Sequence, residues 1–145
     1  LDSQAIVNKA KIIQVALDKH QPLLTDPLTI LQTLGGFEIA ALVGAYLFAA
    51  SQQLPVLVDG FIATVAALVA IKINLPAQAW FIYAHQSHEQ GHHLILQALN
   101  AKPLLALSLR LGEASGALIA LPLLQMACQL QAQMATFAQA HITTT

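Results

Sequence analysis

The stretch LPVLVDGFIATVAALVA, residues 54–70, limits the possible folds more than any other part of the chain. Val56, Leu57 and Val58 are apolar in succession, so a strand formed here is buried on both faces. Asp59-Gly60 ends the run, and Phe61–Ile71 resumes in a helix. A doubly buried strand followed by a helix calls for a parallel neighbour. WFIYA, Trp80–Ala84, is the second strand candidate, with Glu89–Leu99 as the helix after it. The expected fold class is α/β: three α/β/α layers around a parallel, Rossmann-like sheet.

The flanking segments read as helices. Ser3–His20 is amphipathic, with Ile6, Ala10, Ile13 and Leu17 at helical spacing and Ser3 as N-cap. Asp26-Pro27 opens a short helix that Gly35-Gly36 stops. Phe37–Ala50 is apolar nearly all round, which predicts a helix buried on most sides. Gly44, with Ala40, Ala41 and Ala45, permits close packing there. A long helix over Leu118–Gln139 closes the chain, with Pro122 starting or kinking it. There is no internal repeat or obvious linker, and the only low-complexity run is Thr143-Thr144-Thr145.

Composition raises the question of what covers so much apolar surface. Of 145 residues, 57% are apolar and 9% charged, where about 25% charged is usual. A partner or further chain is expected to cover part of it. The chain begins at Leu1, which fits a piece of a longer protein. The longest uncharged stretches are Ile39–Val58 and Ala114–Thr145. Ser51-Gln52-Gln53 and Pro55 interrupt the first, and Gln125, Gln129, Gln131, Gln133 and Gln139 the second. Neither reads as a membrane span, and no signal-peptide pattern opens the chain. A net charge of −1 without a basic run argues against nucleic acid. The single Cys128 excludes an internal disulfide and fits a cytoplasmic location.

The polar residues gather at three loops. Asp59-Gly60 follows the first strand, and His85-Gln86-Ser87-His88-Glu89 follows the second. Glu113 lies in LRLGEASGA, residues 109–117, between two apolar flanks. Ligands of open parallel sheets bind beyond the carboxyl ends of strands, and a turn before a helix offers free N–H groups to an anion. The alternative is three ordinary solvated turns, with an acid favoured near a helix start. His88-Glu89-Gln90-Gly91-His92 also matches H-E-x-x-H, the zinc-hydrolase pattern. Its match begins right at the predicted helix start, and Gly91 costs about 1 kcal/mol relative to Ala. His92 and His93 then read as helix-surface or site-lining residues without metal.

LGGFEIAALVGA at 34–45, LPVLVDGFIATVAAL at 54–68, the loop at 84–92, KPLLALSLRLGEASGA at 102–117 and QMATFAQA at 133–140 together carry a family likeness. The chain resembles the carboxyl-terminal half of nicotinate-nucleotide:dimethylbenzimidazole phosphoribosyltransferases, of the cobalamin nucleotide-loop pathway. The resemblance implies transfer of phosphoribose from nicotinate mononucleotide to 5,6-dimethylbenzimidazole, giving α-ribazole 5′-phosphate and nicotinate, with no cofactor or metal. Residues 1–117 then belong to the parallel α/β domain, and 118–145 form the carboxyl-terminal helix of a small helical domain. Partners would be the two substrates and either a second copy or the absent amino-terminal half.

By the same resemblance, Glu113 matches the family's general base and Leu111 a residue lining the base pocket. Gly60 and Ser87 match positions near the ribose and phosphate, and Lys9 a lysine near the phosphate. Glu38 matches a motif acid that reads as a buried cap of local N–H groups, and Asp59 one that fixes its loop. The chemistry needs one acid: nicotinate leaves as a neutral ring, and the attacking benzimidazole must lose one proton. Apolar surroundings would make that carboxylate more basic. The loop the family writes SHRSAEPGH reads AHQSHEQGH here, with Gln86 replacing arginine, His88 alanine and Gln90 proline. Ala114 replaces the family's glycine, which costs energy if the position needs a positive φ. A catalytically inactive binding or assembly module of the same fold, and a zinc hydrolase, are the alternatives.

Overall fold

A computed structural model of the chain describes residues 3–141, and the terminal threonines lie outside them. In order the elements are α1 (Ser3–His20), α2 (Pro27–Leu34), α3 (Phe37–Ser51), β1 (Val56–Val58), α4 (Phe61–Ile73), β2 (Phe81–Tyr83), α5 (Gln90–Ala98) and α6 (Ser115–Gln133). Short 3-10 segments at Gln21–Leu23 and Leu75–Trp80 lie between them. The second of these, opened by Pro76, is not foreshadowed by the apolar pattern.

The predicted parallel pairing is present. Val56, Leu57 and Val58 align with Phe81, Ile82 and Tyr83. A third segment joins β2 on its other side through a parallel bridge from His85 to Leu105. Leu104 N–H donates to the Tyr83 carbonyl at 2.9 Å, and Gln86 N–H to the Leu105 carbonyl at 2.8 Å. All three segments therefore end at one edge. The fold is α/β, mostly helical around a small parallel sheet.

Capping chemistry sets the bounds. Asp26 Oδ1 accepts the Leu28 and Thr29 amides at 3.0 and 3.1 Å, starting α2 as expected. Gln53 takes a φ of 57° after α3. Gln53 N–H then bonds the Ala50 carbonyl, and Leu54 N–H the Ala49 carbonyl. This Schellman closure, followed by Pro55, which lacks an N–H, delays β1 to Val56. Asn100, with a φ of 48°, closes α5 the same way. The final helix stops at Gln133 rather than Gln139. Thr136 N–H donates to Gln139 Oε1, and Gln139 N–H to Thr136 Oγ1. That reciprocal box starts a separate turn, and its sequence signal is T-x-x-Q. Pro122 lies inside α6 and does not begin it.

The core lies where α3 and α4 meet the sheet. Ala66, Ala67 and Ala70 of α4 are buried with Val43, Tyr46 and Ala50 of α3. Their small side chains allow the helices to approach closely. Tyr46 and Phe81 pack with ring centroids 5.4 Å apart, and Leu96 and Leu99 close the α5 side. The expectation that Phe37–Ala50 is buried on most sides is not met. Only Val43, Tyr46 and Ala50 are buried, while Phe37 is 96% exposed. The second apolar face of α3 has no cover among the described residues. No residue of α1 is buried, and α6 buries only Gly116 and Ala120. Among the described residues, α6 is also the one helix long and apolar enough, by length and composition, to cross a membrane.

A buried histidine joins α4 to α5. Ser87 N–H donates to His92 Nδ1 at 3.0 Å, so the ring proton sits on Nε2. Nε2 then donates to Thr64 Oγ1 at 3.0 Å, and that hydroxyl donates to the Gly60 carbonyl at 2.8 Å. The relay ties the loop after β2 to the loop after β1. Gly91, counted above only as a helix cost, lets α5 approach: a Cβ there would lie 2.7 Å from Phe61 Cζ.

Burial, then the nearby His85, push the His92 pKa below its ordinary value, with Asp59 opposing. The unfolded chain therefore takes up this proton first, so acid favours unfolding. The stability His92 adds as a neutral ring is whole above the ordinary histidine range near pH 6.5 and is lost as pH falls through the lowered folded value. His92→Gln is expected to cost about 1–3 kcal/mol at neutral pH, from broken buried hydrogen bonds. The wild-type advantage should shrink in mild acid. Denaturant melts of both proteins across that range measure it, and an advantage that grows in acid would contradict the tautomer assigned.

Candidate active site

A cleft of about 420 Å³ lies at the carboxyl edge of the three parallel segments. Asp59, Gly60 and Phe61 enter it from β1, and His85, Ser87 and Glu89 from β2. Leu109 to Glu113 form the third wall. Gly60, Ser87, Leu111 and Glu113, proposed from the sequence, thus share one cavity. Lys9 does not join them, because it is exposed on α1 and absent from the lining. A second cavity of about 480 Å³ shares Ser87 and Glu89 with the first and extends to His93 and Ser108.

The Glu113 loop is unusual in its backbone. Gly112, Glu113 and Ala114 have φ of 82°, 54° and 59°. Glycine takes such angles freely, but each other residue incurs about 1–2 kcal/mol. Ala114 therefore occupies a left-handed position, the circumstance in which its methyl carries a cost. The Ser115 amide closes the turn on the Gly112 carbonyl at 2.9 Å.

Ala114 is the N-cap residue of α6 and has no side chain to offer the first amides. Asp59 supplies the acceptor from the end of β1, with Oδ1 taking the Ala117 N–H at 2.8 Å. This agrees with the reading of Asp59 as a loop-fixing residue. His85 Nδ1 lies 3.9 Å from the same oxygen. Gly116 lets the imidazole lie flush against α6, because a Cβ there would overlap the ring. Burial, and secondarily the Asp59 carboxylate, raise the Tyr46 pKa. Tyr83 is pushed up to about 12 by burial and by Tyr46. Both phenols therefore stay neutral beneath the site.

Two expectations are corrected by the geometry. Glu113 is exposed, and its apolar neighbours Leu111 and Leu118 are 78% and 65% exposed. The chain builds the floor under this carboxylate and leaves its other side open. Glu38 is exposed in the first turn of α3 and not buried; no side chain caps that helix. It is placed where a helix dipole favours an acid.

The zinc pattern breaks apart in three dimensions. His88 and Glu89 precede α5, so the two histidines do not share a helical face. His92 is fully buried rather than on the surface, and both its nitrogens are hydrogen-bonded to protein. Among the described residues no group of three or more His, Cys, Asp or Glu is placed to hold a metal. The sequence marks His85 only as part of its loop. A signal for it exists in the glycine at 116, since a glycine at a helix start can mark a close approach.

Comparison with known proteins places the chain in a family. A phosphoribosyltransferase family model, DBI_PRT, matches residues 1–142. The nicotinate-nucleotide–dimethylbenzimidazole phosphoribosyltransferases of Pseudomonas putida, Xanthomonas campestris pv. campestris and Azotobacter vinelandii are 55%, 56% and 52% identical to the chain. Each match covers 98% of the chain and 40% of the relative, so the chain spans well under half the relatives' length. The crystal structure of CobT from Thermus thermophilus superposes with a TM-score of 0.90 at 35% identity, over 100% of this chain and 43% of that one. A second structure, the nicotinate-nucleotide–dimethylbenzimidazole phosphoribosyltransferase of that organism, gives 0.77 at 38% identity over 84% and 37%. The chain belongs to the DBI_PRT phosphoribosyltransferase family.

Proposed function

We propose that the chain carries the general base and part of the nucleotide surface of an enzyme that transfers phosphoribose from nicotinate mononucleotide to 5,6-dimethylbenzimidazole. The observation behind this reading is the meeting of Gly60, Ser87, Leu111 and Glu113 in one cleft at the strand ends. In the proposed reaction a benzimidazole nitrogen attacks C1′ of the ribose as the bond to the pyridinium nitrogen breaks. The electron pair of that bond neutralises the leaving nicotinate ring. The second benzimidazole nitrogen gives its proton to Glu113. Inversion at C1′ gives the α-riboside phosphate.

Gly60 has no side chain to keep the ribose off the β1 edge, and Ser87 places a hydroxyl, 2.9 Å from His92 Nδ1, at the β2 edge. Leu111 supplies an apolar surface for the flat base. Lys9 would reach the phosphate only if the rest of the protein brings α1 towards the cleft. The exposed apolar faces of α1, α3 and α6 are read as surfaces for a second copy or for the remaining part of a relative-length protein. The division at residue 118 is kept as a proposal on the same basis. An exposed free thiol at Cys128 fits a reducing, cytoplasmic setting.

One observation favours the inactive-module reading: the left-handed φ of 59° at Ala114, next to the base. Three measurements bear on the choice. Assayed in the whole gene product that carries these residues, Glu113→Gln should lower kcat by about 100-fold or more, with a far smaller change in KM for nicotinate mononucleotide. A wild-type protein that binds neither substrate would favour the module. Ala114→Gly should raise unfolding stability by about 0.5–1 kcal/mol in denaturant melts. A loss of stability would mean that the turn accepts alanine without strain.

A further inference from the structure

His85 is the one buried polar side chain of the cleft that no proposed catalytic step uses. It is 4% exposed, and its Nδ1 has no hydrogen-bond partner among the described residues. Such a group is costly to bury unless it interacts with something. Asp59 Oδ1 lies 3.9 Å from Nδ1 and is the same oxygen that accepts the Ala117 amide. The ring is held on two sides by glycine. A Cβ at Gly60 would sit in ordinary contact, 3.5 Å from His85 Cε1, and one at Gly116 would overlap the ring. On a third side His92 meets it edge-on at 6.1 Å between centroids. The backbone of His85 is also the bridge to Leu105, so the residue touches all three segments that form the site.

We propose that His85 is a positioning residue for Glu113. Its imidazole packs between Gly60 and Gly116 and sets the side chain of Asp59 through the Nδ1 edge that faces Oδ1. Asp59 in turn fixes the first turn of α6, and the left-handed turn Gly112–Ala114 is continuous with that helix. The position of the Glu113 carboxylate over the cleft therefore depends on the Nδ1 edge of His85. This rests on the proposed role of Glu113, but its structural half can be tested without activity.

The test compares His85→Asn, His85→Gln and His85→Ala in the whole gene product. An asparagine amide reaches roughly where Nδ1 sits and a glutamine amide roughly where Nε2 sits. His85→Asn should keep kcat within about threefold of wild type, while His85→Gln and His85→Ala should lose about 10–100-fold. KM for nicotinate mononucleotide should move by less than about threefold throughout. Amide hydrogen exchange supplies the independent readout. The amides of 115–118 should exchange faster in His85→Ala and return towards wild type in His85→Asn, with β1 and β2 unchanged.

Equal kcat for the Asn, Gln and Ala variants would overturn the proposal, as would a rise in KM at constant kcat, which would make His85 a substrate contact. So would faster exchange spread evenly over the sheet. If His85→Ala does not fold, the ordering of Asn above Gln decides. A wild-type gene product that forms no α-ribazole phosphate would refute the functional reading instead, and hydrogen exchange would still judge the His85 link.

Discussion

The hydrogen bond from the Ala117 amide to Asp59 Oδ1 joins residues 58 apart in sequence. It fastens the start of α6 to the end of β1, and most of the site depends on that attachment. A helix of this length leaves several amides free at its start, and Ala114 cannot satisfy them. A carboxylate reaching in from the sheet accepts one of them, the Ala117 amide, and gains from the helix dipole. The helix start can then follow a strained turn, because the strain is met by a distant partner. Among the described residues, Asp59 is the side chain that hydrogen-bonds the first turn of α6 to the end of β1.

A second constraint comes from the scarcity of charge. The chain has too few polar residues to clothe its helices, and α1, α3 and α6 leave broad apolar faces exposed. Patches of this extent mark interaction surfaces. The length of α6 and its apolar character also meet the simplest membrane criterion. Its attachment to Asp59, its internal Pro122 and its glutamines favour a protein contact over lipid. The same openness explains Glu113. Within this chain the cleft is walled by the ends of β1 and β2 and by Leu109–Glu113, and Glu113 stays exposed beside it.

Much of the fold is legible in sequence because it rests on local chemistry. Asp26-Pro27, Gly35-Gly36 and the Val-rich run before Asp59-Gly60 each announce an element, and the elements appear there. Expectation and structure part where a local pattern is outweighed by something non-local. Phe37–Ala50 has the composition of a buried helix, but burial depends on neighbours that composition does not describe. The apolar period of the final helix runs on past Gln133, although the T-x-x-Q box begins a new turn there. H-E-x-x-H looks like a metal pair in one dimension. His92 is instead consumed by a relay to Thr64 and Ser87, which precede it by 28 and 5 residues.

The site divides in the same way. Gly60, Ser87, Leu111 and Glu113 lie on loops that a rule of topology places at strand ends, and the family resemblance singles them out within those loops. His85 is not singled out by that rule, because its importance lies in what it touches. A buried histidine looks ordinary in sequence, and its partner Asp59 reads as a turn residue. The complementary signal is an absence: Gly116 lacks the side chain that would collide with the ring. In a loop made of small residues, the glycines mark where something else must fit. Here the left-handed Gly112 serves the backbone, Gly116 serves His85, and Ala114, between them, satisfies neither need.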